Sequence, residues 1–101
     1  MSSPETERTW HFLTSHTQVL LALNRDQDAR LRDVAETVGI TERAAQRIVT
    51  DLVEAGYVER TRVGRRNRYT VNGHVHMRHP EQFEYEVGEL LELLRNPAPD
   101  G

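Results

Sequence analysis

The strongest constraint on the fold is the punctuation of residues 31 to 56, "LRDVAETVGITERAAQRIVTDLVEAG". Leu31, Val34, Ala35 and Val38 recur at i, i+3, i+4 and i+7, one face of a short helix, and Gly39 follows where helices commonly end in a left-handed residue. Thr41 is a good N-cap, and Ala45, Ile48, Val49, Leu52 and Val53 then repeat at helical spacing as far as Gly56. Two amphipathic helices separated by a tight glycine-containing turn predict a helix-turn-helix.

The flanks extend this unit in both directions. Upstream, "TSHTQVLLALNRD" predicts a first core helix through Val19, Leu20 and Leu23, with His16 on the same stripe and Thr14 or Ser15 as cap. "ETERTWHFL" either lengthens that helix from Ser3 and Pro4 or forms an arm packed through Trp10, Phe12 and Leu13, and Ala29 to Leu31 can form a very short strand. Downstream, "YVERTRV" alternates, "GRRN" supplies a turn and "RYTVNG" resumes the alternation, which predicts a β-hairpin. "HVHMRHP" reads as a loop, after which Pro80 starts a last helix. There Phe83, Val87, Leu90 and Leu94 advance by four, three and four residues, a two-heptad seam widened by Leu91 and Leu93.

Charge then says where chemistry lies. Formal charge is −3 over 101 residues, yet residues 41 to 68 hold seven Arg against four acids, while both flanks are acidic. Five of those arginines fall in "RTRVGRRNRY", residues 60 to 69, on the hairpin: Arg60 and Arg62 on its first strand, Arg65 and Arg66 at its tip, Arg68 on the return. A turn needs Gly64 and Asn67 for backbone reasons, but it does not need several mutually repelling cations, so a compensating negative charge is expected. With the apolar stripe of the longer helix turned inward, Arg43, Gln46, Arg47 and Thr50 project outward. Arg and Gln can make bidentate contacts with guanine and adenine edges, and Thr41 with the first-turn amides can meet a phosphate.

These residues resemble the winged helix-turn-helix regulators of the bacterial MarR and ArsR families. "GITERAAQRIVTDLVEAGYVER" is similar to the MarR-like pattern, with Ile40 and Thr41 at the turn, Arg47 in mid-helix and Gly56 before the apolar pair that opens the wing. The resemblance implies a recognition helix at residues 42–55 with Thr41, Arg43, Ala44, Gln46 and Arg47 in the major groove. It places Arg65 and Arg66 at the wing tip, in a wing of residues 60–69 whose Arg62 and Arg68 also meet phosphates or the minor groove. Ala44 and Gln46 stand where hydroxyl residues are common in those families, so base preference does not carry over, and the cysteine motifs of metal-sensing ArsR proteins are missing.

The expected fold is therefore mainly α with a small β-hairpin (α+β): a winged helix-turn-helix with a three-helix core, a wing and a C-terminal dimerisation helix. Residues 1–80 are expected to form the DNA-binding domain and residues 81–95 the dimerisation helix through Phe83, Val87, Leu90, Leu91 and Leu94, with 96–101 a disordered tail. The expected partners are double-stranded DNA and a second copy of the chain. No cofactor is called for, and nothing in the sequence supports a small-molecule effector. His74, His76 and His79 are the only clustered metal-ligand types, and their spacing fits no specific site. Zero cysteines and no apolar run of membrane length point to a soluble cytoplasmic protein. The scarcity of nucleophiles and the lack of a glycine-rich phosphate loop argue against an enzyme. The rival reading is a winged-helix protein-interaction module whose arginines bind an acidic protein surface.

Overall fold

A computed structural model describes residues 11–95. Three helices form the core: α1 (Ser15–Arg25), α2 (Leu31–Val38) and α3 (Glu42–Glu54). The Thr14 hydroxyl accepts from the Thr17 amide at 3.2 Å and starts α1, which buries Val19, Leu20, Leu21 and Leu23. His16 shares that face one turn ahead of Val19 and Leu20, but at the start of the helix it is half exposed, and its Nε2 stands 2.8 Å from an Asp51 carboxylate oxygen on α3. Residues 11–13 are not helical, and Leu13 packs on the core beside a largely exposed Phe12. Trp10 and the choice between an upstream helix and an arm lie outside the described residues, as does the 96–101 tail.

Arg30 precedes α2 without a side-chain cap, and Gly39 ends the helix at φ +88°, its amide 2.8 Å from the Ala35 carbonyl. That left-handed residue turns the chain within two positions into Thr41, whose hydroxyl accepts from the Ala44 amide at 3.0 Å and begins α3. Ala45, Ile48, Val49 and Leu52 are buried against α1 and α2, and Gly56 at φ +90° sends the chain into the hairpin.

Strands β1 (Val58–Val63) and β2 (Arg66–Val71) pair antiparallel, with Val63 opposite Arg66 and Arg60 opposite Tyr69. The loop is only two residues, Gly64 and Arg65, with Gly64 at φ +64° as a primed hairpin turn requires at its first position. Arg66 is thus the first residue of β2 and not part of the turn. Asn67 pairs with Arg62 in the ladder, where the sequence had suggested a turn residue. Residues 29–31 form no strand. The Tyr69 amide instead donates to the Gln27 carbonyl at 3.0 Å, a backbone-to-backbone link between the α1–α2 loop and β2.

The C-terminal segment departs most from expectation. Pro80–Gln82 make one turn of 3₁₀-helix, and the last helix, α4, spans only Val87–Leu94. Residues 83–86 are held outside it by pairing back on the chain. The Met77 amide donates to the Tyr85 carbonyl at 3.0 Å, the Val87 amide to Val75 at 2.8 Å and the Gly88 amide to Gly73 at 2.7 Å. A Cβ at residue 88 would stand 2.7 Å from the Gly73 carbonyl oxygen, so glycine is required for this approach. Glu86 is extended and caps α4, its amide 3.3 Å from the Glu89 carboxylate. The two-heptad seam is therefore interrupted: Phe83 lies ahead of the helix and is 62% exposed. Val87 and Leu91 are buried in the same core as α1 and α3, with Leu90 and Leu94 partly covered. No helix among the described residues is long and apolar enough to cross a membrane.

Candidate nucleic-acid interface

Burial of one face of α3 determines what the other presents. Arg43, Gln46, Arg47 and Thr50 are all exposed, and Ala44 is half-buried between them and the turn. Arg43 and Arg47 are one helical turn apart, about 6 Å along the axis. Neither side chain makes a hydrogen bond or ion pair among the described residues. Two of the other expected contacts are engaged locally. Thr41 spends its hydroxyl as acceptor on the cap, and the Thr50 hydroxyl donates to the Gln46 carbonyl at 3.0 Å.

The wing meets this helix at a cleft of about 330 Å³ lined by Arg30, Glu42, Gln46, Arg66, Asn67 and Tyr69, among others. The cleft joins the outer face of α3 to the wing, two features that are apart in the sequence. Around the hairpin the arginines have different surroundings. Cross-strand partners share a face, so Arg60 and Arg62 lie on the side of Val58 and Tyr69, whereas Arg66 and Arg68 lie on the opposite side with Thr61 and Val63. Arg62 Nε donates to the Gly64 carbonyl at 3.2 Å, stiffening the turn, and Arg65 at the tip has no partner among the described residues.

Arg66 and Arg68 do have one. The Arg68 Nε and Nη2 groups donate to the two carboxylate oxygens of Asp28 at 3.0 and 3.4 Å, and Arg66 Nη2 donates to the Asp28 carbonyl. The Arg68 guanidinium holds the Asp28 carboxyl below the usual aspartate range, and the carboxylate in turn raises the Arg68 value. Part of the negative charge that the arginine cluster called for is thus internal. Asp28 was not among the sequence candidates. It sits in a polar connection with no periodicity, and the only signal was an acid close to an otherwise unbalanced cluster, which does not say which acid. Arg30, which lines the cleft beside the wing, was not among the sequence candidates either.

The three clustered histidines are separately engaged. His74 Nδ1 stands 3.2 Å from the Glu86 carboxylate, His76 Nδ1 is 2.7 Å from the Phe83 carbonyl, and His79 Nδ1 accepts from the Glu81 amide at 3.0 Å. Among the described residues no group of three or more His, Cys, Asp or Glu side chains is arranged to hold a metal ion.

The sequence model of the MarR family matches residues 12–68, from just before α1 into β2. The chain belongs to the MarR family. The match covers the helix-turn-helix and most of the wing, including every expected DNA-contacting position, and stops before α4. It bears on the MarR half of the resemblance alone. No curated protein matches the chain. Members of the MarR family are transcription regulators, and the winged-helix architecture observed here is that of the family.

Proposed function

We propose that this MarR-family protein is a cytoplasmic, sequence-specific regulator of transcription that binds double-stranded DNA as a homodimer. The observation that carries the reading is the cleft where α3 meets the wing: Gln46 lines it together with Arg66 and Asn67, and Arg43 and Arg47 are exposed on the same outer face of α3 as Gln46. Arg43 and Arg47 have the fork to pair with guanine O6 and N7, and Gln46 can pair with adenine, if α3 enters the major groove. Thr41 and the first-turn amides then approach one phosphate, while Arg62, Arg65 and Arg66 lie toward the flanking backbone or minor groove. Phosphate contacts fix register and base contacts select sequence.

A dimer is supported by the apolar surface left around α4. Leu93 is 78% exposed, Phe83 and Tyr85 are also exposed, and Leu90 and Leu94 are only partly covered. Val87 and Leu91 join the chain's own core, so they anchor α4 and leave its other side for the second copy. Two recognition helices about 34 Å apart would read a roughly palindromic operator.

Fluorescence anisotropy with a labelled duplex from the gene's upstream region and a scrambled duplex, titrated over salt, tests the reading. Salt-sensitive binding that prefers the upstream duplex and weakens in Arg65→Ala/Arg66→Ala is the expected result. Absence of binding to either duplex at low salt would sink it in favour of a protein-interaction role. Sedimentation of the free protein tests the dimer separately.

A further inference from the structure

We propose that Asp28 is a positioning residue for DNA recognition, holding Arg68 as the anchor of the wing and leaving Arg62, Arg65 and Arg66 to meet phosphates. This inference rests on the DNA-binding reading above, and it reassigns Arg68 from a phosphate contact to an internal one.

The loop that presents Asp28 is itself braced. The Asp28 amide donates to the Asp26 carboxylate at 3.0 Å and the Ala29 amide to the Asp26 carbonyl at 3.2 Å. From this turn, three hydrogen bonds run to the wing: two from the Arg68 fork to the carboxylate and one from Arg66 to the carbonyl. The Tyr69 amide adds a fourth link to the neighbouring Gln27 carbonyl. The loop leads directly into α2 and so into the turn that orients α3, which means that the wing is fastened to the same scaffold that aims the recognition helix.

Charge separates the two arginines. Arg68 faces a full carboxylate through two N–H groups, and moving it to a phosphate would leave Asp28 an unpaired anion beside the DNA backbone. Arg66 spends one of its five N–H donors on a neutral carbonyl and keeps its charge and remaining donors. Retention of the Asp28–Arg68 pair in the complex is therefore favoured, while Arg66 can bind a phosphate without leaving its place. Both members of the pair are about half exposed, 59% for Asp28 and 48% for Arg68, so the anchor is a modest one.

The test compares Asp28→Asn, Arg68→Gln, their double variant and Arg62→Gln by anisotropy on the upstream duplex across salt, with amide hydrogen exchange at Tyr69 in the free proteins. The anchor predicts that Asp28→Asn and Arg68→Gln each weaken binding about two- to fivefold, and that the double variant is no weaker than either. Their salt dependence stays at the wild-type slope, while Arg62→Gln lowers the slope by about 0.9. Exchange at the Tyr69 amide accelerates in both anchor variants. A slope reduced by about 0.9 in Arg68→Gln would make Arg68 a phosphate contact and overturn the proposal. So would tighter binding by Asp28→Asn, which would mark Asp28 as a competitor of DNA. Unchanged Tyr69 exchange would remove the anchor whatever DNA does. If Tyr69 exchange accelerates but the wild-type protein binds neither duplex, the anchor stands and the DNA-binding reading fails.

Discussion

Helix α3 and the wing both carry arginine, but they hold it in different ways. On α3, Arg43 and Arg47 stand on the solvent side of a helix whose Ala45, Ile48, Val49 and Leu52 are buried on the other side, and no side chain competes for them among the described residues. Their direction comes from packing. In the wing, the hairpin has one buried side chain at its base, Val58, and another on its return, Tyr69, and the remaining direction comes from hydrogen bonds to the turn and to Asp28. A helix face is fixed by a core that resists change, whereas a wing is fixed by a few exposed contacts that respond to charge and salt.

The largest effect should follow from breaking the first kind of support. Leu52 is buried beneath the distal half of α3, and Leu52→Ala is expected to cost about 2 to 5 kcal/mol of stability in urea unfolding. No single arginine replacement in the wing should approach that loss. If Leu52→Ala and Arg65→Ala destabilised the fold equally, the distinction between a packed face and a contact-held wing would fail.

Function should divide differently. Arg47→Ala is expected to cost about 1 to 3 kcal/mol at the cognate duplex and to relax base preference there, with stability nearly unchanged. Arg65→Ala should weaken cognate and scrambled duplexes alike and lower the salt slope by about 0.9. Anisotropy on both duplexes separates the two. A uniform loss for Arg47→Ala would place it on the backbone and require a different orientation of α3 in the groove.

The same contrast explains how much could be read from the chain. The three core helices were legible because burial imposes a period of 3.6 and because Gly39, Thr41 and Gly56 mark the ends in local terms. The outward row on α3 followed directly, since fixing one face of a helix fixes the other. The hairpin was legible by alternation, but its two-residue loop was not, because "GRRN" allows either Gly64–Arg65 or a longer turn until the strands choose a register. The C-terminal helix was misread by six residues. Phe83 keeps helical spacing with Val87, and nothing in the spacing reveals that residues 73 to 77 will claim the backbone of residues 85 to 88. Asp28 was invisible for the same reason, being 40 residues from Arg68 in sequence. Local periodicity finds what a core demands, and it cannot find what a distant loop offers.

The smallest expected effect is a pH dependence confined to the wing. Arg68, through its hydrogen bonds and charge, lowers the Asp28 value, with Arg66 adding to it, so the unfolded chain takes up that proton at a higher pH than the folded chain. The stabilising contribution of the pair is then fully present above the ordinary aspartate value and is lost as pH falls through the lower folded value. Arg68 stays charged throughout this window, so the titrating partner is the carboxylate. Asp28→Asn removes the titration. Wild type and variant should therefore differ in Tyr69 amide exchange, corrected for the intrinsic rate, near neutral pH, and the difference should close under acid conditions while the buried amides of α3 remain protected in both. Equal exchange in the two proteins near neutral pH would show that the loop holds the wing through its carbonyls alone. The wing would then depend on contacts that, like the packing of α3, do not respond to charge.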